Sequence, residues 1–507
     1  MIFQDPDKKV VMIGAGPAGL TAAYELCKAG VESVVLEKDK VVGGLARTVN
    51  YKGYHFDIGG HRFFTKVKAV EDMWREVLAE GDFLRCKRLS RIYYNHRFFY
   101  YPLRAFDALF GLGIWNSLMI FLSYCKAQLF PEQPEDTLEQ WVSNRFGKRL
   151  YLTFFKTYTE KVWGIPCSEI SAEWAAQRIK GLSLFTALKD ALIKQRAENK
   201  DSVVKTLIDA FDYPKLGPGM MWETVADVIQ DNGAELRLGA GVGRIIWSDK
   251  EIKAVEINGS GPRELVWGTD FISTMPIKQL IQKFDPLVPP DVLKAAEDLK
   301  YRDFLTVAII VNKADVFPDN WIYVHDPDVK MGRIQNFKNW SSHMVPDQSK
   351  TCLGLEYFCF EGDGLWTMSD ADLIELGKKE LIQIGLIADS DVEDGTVIRM
   401  PKAYPVYDST YSESLRIVQE FLARFANLQL VGRNGMHKYN NQDHSMLTAM
   451  LAVKNILGGN HDLWQVNAEQ EYHEEVTAGE TEMAGDLALL SATQPRVPTR
   501  KIASAAR

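Results

Sequence analysis

The sequence predicts an α/β fold with a parallel, Rossmann-like sheet, a second mixed or antiparallel sheet, and an α-helical insertion. A strand, a glycine-rich turn and a helix occupy residues 8–29, and a similar strand, turn and helix recur at 428–457. Between them, period-2 strand patterns are interrupted by a helical stretch over about 105–204.

Residues 8–13 form a short apolar run suited to a buried parallel strand. Gly14-x-Gly16-x-x-Gly19 follows at once, then helical periodicity to residue 29. The first glycine permits the tight turn, and the second lets backbone approach a pyrophosphate. The third lets helix and strand pack closely, with phosphates at the helix N-terminus. A second strand, residues 33–36, ends in Glu37, 18 residues after Gly19. An acid there accepts a hydrogen bond from adenosine ribose hydroxyls. A lone glycine fingerprint is weak; strand, loop, helix, strand and terminal acid together point to a dinucleotide.

Val41-Val42-Gly43-Gly44-Leu45-Ala46-Arg47-Thr48 adds two glycines and the basic Arg47 just after Glu37. These extend the anion-binding surface along a longer cofactor. Phe56-Asp57-Ile58-Gly59-Gly60-His61 then offers a third backbone-accessible turn, at Gly60, ending in an imidazole. Three such turns in one N-terminal block select FAD over NAD. The pattern resembles the FAD-binding superfamily of amine oxidases, protoporphyrinogen oxidase and UDP-galactopyranose mutase, which implies a sheet of the glutathione-reductase type.

The 507 residues exceed one ordinary domain, so two or three substructures are expected. Hydrophobic content of 46% and charge of 25% are those of a globular protein with a substantial core. A net charge of −8 argues against a nucleic-acid partner. Six cysteines without a Cys-x-x-Cys pair or metal-ligand spacing read as reduced, mostly buried thiols. The charged N-terminus leads straight into the first strand, so no signal peptide and a cytoplasmic location are expected. Residues 108–125 carry no charge over 18 positions, the lower edge of a spanning helix. Asn116, Ser117, Gly111 and Gly113 dilute the run, which favours a buried helix pair; a monotopic membrane contact is the alternative.

The expected organisation is discontinuous. Residues 1–80, 205–285 and 415–460 form the FAD-binding domain, and 105–204 the helical insertion. Residues 85–104 and 286–414 form a substrate-binding sheet, and 461–507 an extension that frays at its end. Residues 89–101 alternate like a hairpin turning at Asn95-His96, and Thr137-Leu138-Glu139-Gln140 matches a capping box. Val242 begins a strand taken to pass the cofactor.

Near the C-terminus a strand ends at Gly432, with Arg433 where backbone comes close to a ligand. Asn441-Gln442-Asp443 caps a helix beginning near His444, whose first N–H groups would face an anionic reduced flavin.

Blocks in family order over most of residues 8–460 resemble UDP-galactopyranose mutase, especially its longer eukaryotic-type members. They are Phe56 through His61, Glu160-Lys161-Val162-Trp163-Gly164-Ile165-Pro166, Trp174-Ala175-Ala176-Gln177-Arg178, Ser273-Thr274-Met275, Trp321-Ile322-Tyr323, Arg333 with Asn339-Trp340-Ser341, Tyr404-Pro405, and Gly432 through Ser445. The resemblance implies that reduced FAD attacks the anomeric carbon of a nucleotide-sugar and displaces the nucleotide diphosphate, letting the ring reclose as a furanose. Its partners would be UDP-galactose or a related sugar nucleotide and an external reductant. Arg178, Arg333, Tyr323, Tyr404 and Tyr439 match residues that would neutralise the diphosphate. His61 matches the histidine beside the flavin, Asn441 a polar residue near the sugar, and Gln442 and Ser445 flavin contacts.

Departures put the nucleobase and sugar in question. Tyr101-Pro102-Leu103-Arg104 stands where the family has Tyr-Pro-Phe-Gln, and the loop from Tyr439 to Asn441 is two residues short. Asp209-Ala210-Phe211-Asp212-Tyr213-Pro214 lacks the expected sugar-contacting asparagine. The alternative is an FAD-dependent oxidoreductase of the protoporphyrinogen oxidase or amine oxidase type, removing hydride from an apolar or amine substrate. Two arginines meeting near the flavin favour the mutase; a long apolar tunnel favours the oxidase.

Overall fold

The computed structural model describes residues 8–101, 111–172, 206–207, 210–258, 263–467 and 475–476. Its central sheet has five strands in the order Glu235–Arg237, Glu32–Leu36, Lys9–Ile13, Asp270–Ser273, Leu428–Leu430. Every neighbouring pair is parallel, so all the strands end on one edge. Val10, Val11, Met12 and Ile13 are buried, as a parallel strand covered on both faces requires. Consecutive turns at that edge therefore collect Gly14, Glu37, Thr274 and Gly432, residues drawn from the whole length of the chain.

Helix Pro17–Ala29 starts with Pro17 in its first turn and ends at Gly30, whose φ of 72° closes it with bonds to Leu26 and Cys27. Its buried face, including Leu20, Ala23 and Leu26, shares one core with Met446, Ala449 and Val453 of helix Gln442–Ile456. The first and last helices of the nucleotide sheet thus pack together.

A second sheet has seven strands in the order Val392–Pro405, Tyr301–Val311, Thr351–Cys359, Arg333–Asn336, Trp321–Val324, Ser90–Tyr94, Arg97–Tyr100. It is mixed: Trp321–Val324 runs parallel to Ser90–Tyr94, and the other pairs are antiparallel. Strands Tyr301–Val311 and Thr351–Cys359 are buried at every residue. One face meets Leu373 and Leu381 of helix Asp370–Gln383, and the other meets Phe56, Phe337 and Trp340. The hairpin turns at Asn95 and His96, both with positive φ. A further four-stranded sheet is ordered Glu264–Trp267, Glu251–Asn258, Gly241–Ser248, Phe284–Asp285.

The described helices between residues 111 and 172 include Ile114–Leu129, Leu138–Phe146 and Lys156–Trp163. Thr137 opens the second of them with a capping box to Gln140. The expected burial of 108–125 is corrected over its described part, 111–125. Gly113, with φ 82°, separates the helical Gly111 and Leu112 from helix Ile114–Leu129, in which only Ile120 is buried. The apolar positions fall on one outward arc, which is why a run read as core lies at the surface. No described helix is long and apolar enough to cross a membrane. Arg178, the rest of its block and most of the C-terminal extension lie outside the described residues.

Asp57 latches the N-terminal block to the rest. Fully buried, it accepts hydrogen bonds from Thr48 Oγ1 at 2.8 Å and from the Tyr213 hydroxyl. Thr48 Oγ1 in turn accepts from the Gly219 N–H at 3.0 Å. Burial pushes the Asp57 pKa up to about 7, with the two hydroxyls opposing it. The folded state therefore holds this proton more tightly than the unfolded chain. The stability it contributes is full below about pH 4 and is lost as pH rises through about 7. Asp57→Asn cannot ionise, so its melting temperature relative to wild type should rise between pH 5 and pH 8. A constant difference across that range would remove Asp57 as the source.

Candidate flavin site

Around the first turn, backbone lies against backbone. Gly14, with φ 108°, donates its N–H to Leu36 O at 2.8 Å, and a Cβ there would fall 2.1 Å from Thr274 Oγ1. A Cβ on Gly19 would fall 1.9 Å from the Gly14 carbonyl oxygen, so helix and turn touch only because neither carries a side chain. The second glycine turn folds onto the first: Gly43 N–H donates to Ala15 O at 2.8 Å, and Gly44 abuts Gly16. Gly432 closes the ring from the far end of the chain, its φ 79° and its added Cβ only 3.2 Å from that of Ala18. Asn440 Nδ2 donates to Gly432 O and Thr448 Oγ1 accepts from Gly432 N–H, which fixes that turn.

Glu37 is buried and reaches back across this surface. One carboxylate oxygen accepts from Ala15 N–H at 2.7 Å, and the other from Asp39 N–H at 2.9 Å. Each oxygen has a second lone pair to offer a ribose hydroxyl. Ala240 N–H donates to Glu37 O at 2.7 Å, which brings the start of strand Gly241–Ser248, and the buried Val242, beside the acid. Arg47 is held by Asp39 at 2.9 Å, at the rim of the glycine turns.

The third turn carries His61. Its Nε2 lies 2.9 Å from Ile58 O, an acceptor, so Nε2 carries a proton there, and the Leu45 backbone is a second hydrogen-bond partner of the ring. Burial, then the charge of Arg433, hold its pKa down at about 4, and Arg333 acts in the same sense. His61 is therefore neutral near pH 7. Gly60 stands against Gln335 and Trp340, where a Cβ would lie 3.0–3.3 Å from both.

The last helix begins at Gln442 with Asn441 as its N-cap. Asn441 N–H meets His444 Nδ1 at 3.3 Å, and both N–H and Oγ of Ser445 donate to Asn441 O. Gln442 Oε1 accepts from Trp222 Nε1 at 3.0 Å, while its buried Nε2 has no hydrogen-bond partner in the protein. A buried amide donor left over at a helix N-terminus, beside a glycine cradle and a ribose-class carboxylate, fits FAD. Gly14, Gly16, Gly19, Gly43, Gly44 and Glu37 would hold its adenosine and pyrophosphate end. His61, Gly60, Gly432, Arg433, Gln442 and Ser445 would stand around the ring.

Beside this lies a cluster of charged and aromatic side chains. Arg333 pairs with Glu356 at 2.6 Å from the opposite position of the neighbouring strand, and Glu356 is fully buried. Gln335 Nε2 donates to the other Glu356 oxygen at 2.8 Å. Burial pushes the Glu356 pKa up and Arg333 opposes it, while Glu356 holds the guanidinium protonated. The Arg333 guanidinium carbon is 5.8 Å from the Tyr323 ring centre. That of Arg433 is 5.3 Å from Tyr404 and 4.8 Å from Tyr439, whose rings stack at 5.6 Å and 16°. Arg433 is tied by bonds to Asn440 O and Ala403 O. Burial and Tyr439 raise the Tyr404 pKa, and both Arg333 and Arg433 oppose it.

The structure thus gathers His61, Arg333, Tyr323, Tyr404, Tyr439 and Arg433. Several neighbours escaped the sequence reading. Tyr158 packs on Tyr323 at 5.6 Å and stacks on His325 at 4.5 Å. Glu356 sits mid-strand with no motif around it. Arg88 and Arg62 each lie over the Trp321 ring, and Arg88 also over Tyr101. Tyr158 stands two residues before the Glu160–Pro166 block, and Arg62 follows His61, so nearness to a motif was the available signal.

Glu37→Ala removes the acceptor of a charged hydrogen bond and leaves Ala15 and Asp39 N–H groups unpaired. Such bonds contribute about 1.5–3 kcal/mol. FAD affinity should therefore fall by roughly 10- to 100-fold, read as flavin-to-protein absorbance after desalting. Unchanged flavin content would displace Glu37 from the ribose site.

Residues 17–393 match the family described as flavin containing amine oxidoreductase. Among curated proteins, L-amino-acid oxidase of Crotalus adamanteus is 45% identical over 65 residues, 13% of each chain. Phytoene desaturase of Fusarium fujikuroi is 32% identical over 99 residues, 18% of this chain and 17% of its own. The chain thus covers well under a fifth of the length of these relatives. Reduced UDP-galactopyranose mutase superposes with a TM-score of 0.78 at 22% identity, over 91% of this chain and 98% of that one. Putrescine oxidase bound to putrescine gives 0.58 at 15% identity, over 89% and 99%. A candidate protoporphyrinogen oxidase from Exiguobacterium sp. gives 0.66 at 18%, over 89% and 98%. These likenesses establish the fold. Matched by the family profile over residues 17–393, the chain belongs to the flavin-containing amine oxidoreductases, with FAD as its cofactor.

Proposed function

We propose that the enzyme is a sugar-nucleotide pyranose/furanose mutase of the UDP-galactopyranose mutase kind. The feature that carries this reading is the pair of guanidinium groups set among tyrosines, Arg433 over the Tyr404 and Tyr439 rings and Arg333 over the Tyr323 ring. A departing nucleoside diphosphate develops negative charge that fixed cations and hydroxyl donors stabilise. Arg333, oriented by Glu356 and Gln335, would grip the diphosphate, with Tyr323, Tyr404 and Tyr439 supplying hydroxyls. Arg178 is proposed for the same role on sequence grounds. FAD, when bound and reduced, supplies the nucleophile for the anomeric carbon. His61, neutral and held by Ile58 O, would stand beside the ring. Asn441, at the N-cap, would meet the sugar. The tyrosine and tryptophan walls would limit water.

An amine oxidase reading draws support from the family and from the stacked Tyr404 and Tyr439. An ammonium group would, however, face Arg433 over those same rings and Arg333 beyond. Like charges at close range among half-buried aromatic rings cost several kcal/mol. That repulsion is why the anionic substrate is preferred.

The deciding experiment is anaerobic incubation of dithionite-reduced enzyme with UDP-galactofuranose and a panel of other nucleotide-sugars, followed by chromatography. A ring isomer that forms only with reduced flavin is the expected result. No isomer from any sugar, with FAD intact, would transfer the assignment to hydride removal. Arg333→Lys keeps a cation opposite Glu356 but loses the planar fork. It should weaken nucleoside-diphosphate binding about tenfold or more at unchanged flavin content. Retained affinity would refute this placement of the diphosphate.

A further inference from the structure

Helix Ile114–Leu129 presents an apolar face to solvent. At about 100° per residue, positions 114, 115, 118, 121, 122, 125 and 129 fall within an arc of roughly 120°. Every one of them is apolar or cysteine. Ile114, Trp115, Leu118, Phe121, Leu122 and Leu129 are each 46–75% exposed. Isolated exposed leucines are ordinary, but a contiguous stripe of this kind marks an interaction surface.

The helix is firmly seated on its other side. Ile120 enters a core with Phe99, Trp141, Phe146 and Phe154. Gly147 comes so close that a Cβ would lie 2.7 Å from the backbone nitrogen of Tyr124. The outward stripe is therefore a fixed feature of a docked helix. Tyr101, Tyr323, Tyr404 and Tyr439 pack against the same core, which links the stripe to the walls of the candidate site.

Local charge identifies the occupant. The chain as a whole carries −8, yet residues 108–131 contain no acid. Lys126 borders the arc, while Arg149, bonded to Asn116 Oδ1 and Ser123 Oγ, holds the opposite side of the helix. Arg97 donates to Gly111 O just before the helix. An apolar stripe carrying Trp and Phe, with a lysine at its edge and no acid along it, matches a helix lying in a bilayer interface. Sixteen residues reach about 24 Å, short of the roughly 30 Å hydrocarbon core, so the helix lies along the surface.

We propose that this face docks the enzyme, in plane, on an anionic phospholipid bilayer. Such docking holds whichever reaction the site performs. The test is co-sedimentation of the holoenzyme with phosphatidylcholine vesicles, with and without phosphatidylglycerol. Wild type should pellet with vesicles, more strongly when they are anionic. Leu118→Glu/Leu122→Glu should weaken binding about tenfold or more, with flavin absorbance and circular dichroism unchanged. Trp115→Ser, at the helix end, provides a second, milder variant expected to weaken it in the same direction. Lys126→Glu should reduce the preference for anionic vesicles.

Wild type remaining in the supernatant, or binding as well after both stripe substitutions, would overturn the proposal. Sedimentation velocity without lipid supplies the other overturning result: a dimer abolished by Leu118→Glu/Leu122→Glu, with no vesicle binding, would assign the face to a second copy of the chain.

Discussion

A Cβ on Gly19 would sit 1.9 Å from the Gly14 carbonyl, and one on Gly14 would sit 2.1 Å from Thr274 Oγ1. This steric constraint, contact between bare backbones at the edge of the parallel sheet, is what the rest of the structure depends on. It lets helix Pro17–Ala29 begin directly against the sheet and leaves N–H groups and helix-end charge facing outward for a pyrophosphate. Gly43 and Gly44 lay a second turn on the first, and Gly432 brings the C-terminal segment against Ala18. The first two turns lie within the first 44 residues and the third nearly four hundred residues further on, and small residues let them meet.

Electrostatics then divides the site in two. Around the glycine turns the positive character comes from backbone. In the neighbouring aromatic cluster it comes from Arg333 and Arg433, set among tyrosines. Glu356 lies directly across the sheet from Arg333 and is fully buried, so the pair must stay together: removing either partner strands a charge in the core. That coupling fixes the guanidinium in orientation. The same cations and the same burial keep His61 neutral, so the imidazole enters the site as a hydrogen-bonding group without adding charge.

Residues with local signatures were legible in the sequence. Gly14, Gly16, Gly19 and Glu37 sit at spacings that only a strand–turn–helix–strand unit explains, and the Thr137 capping box and the Asn95-His96 turn are local chemistry as well. Residues whose role arises from pairing across strands were not legible. Glu356 has no motif; it matters because the register of Arg333–Asn336 with Thr351–Cys359 sets it opposite Arg333. Residues 108–125 show the same limit from the other side. Hydrophobicity alone reads as core, and whether a helix turns that face inward depends on what packs against it.

The sequence by itself determined the parallel α/β nucleotide sheet, the FAD cofactor and the family, because close backbone approach demands glycine at set positions and leaves a written pattern. Only the tertiary structure decided which arginines lie over the site's tyrosines, which carboxylate holds Arg333, and that Ile114–Leu129 points its apolar arc to solvent. Those outcomes follow from strand register and helix rotation, which depend on contacts between distant segments and leave no periodic mark on either one.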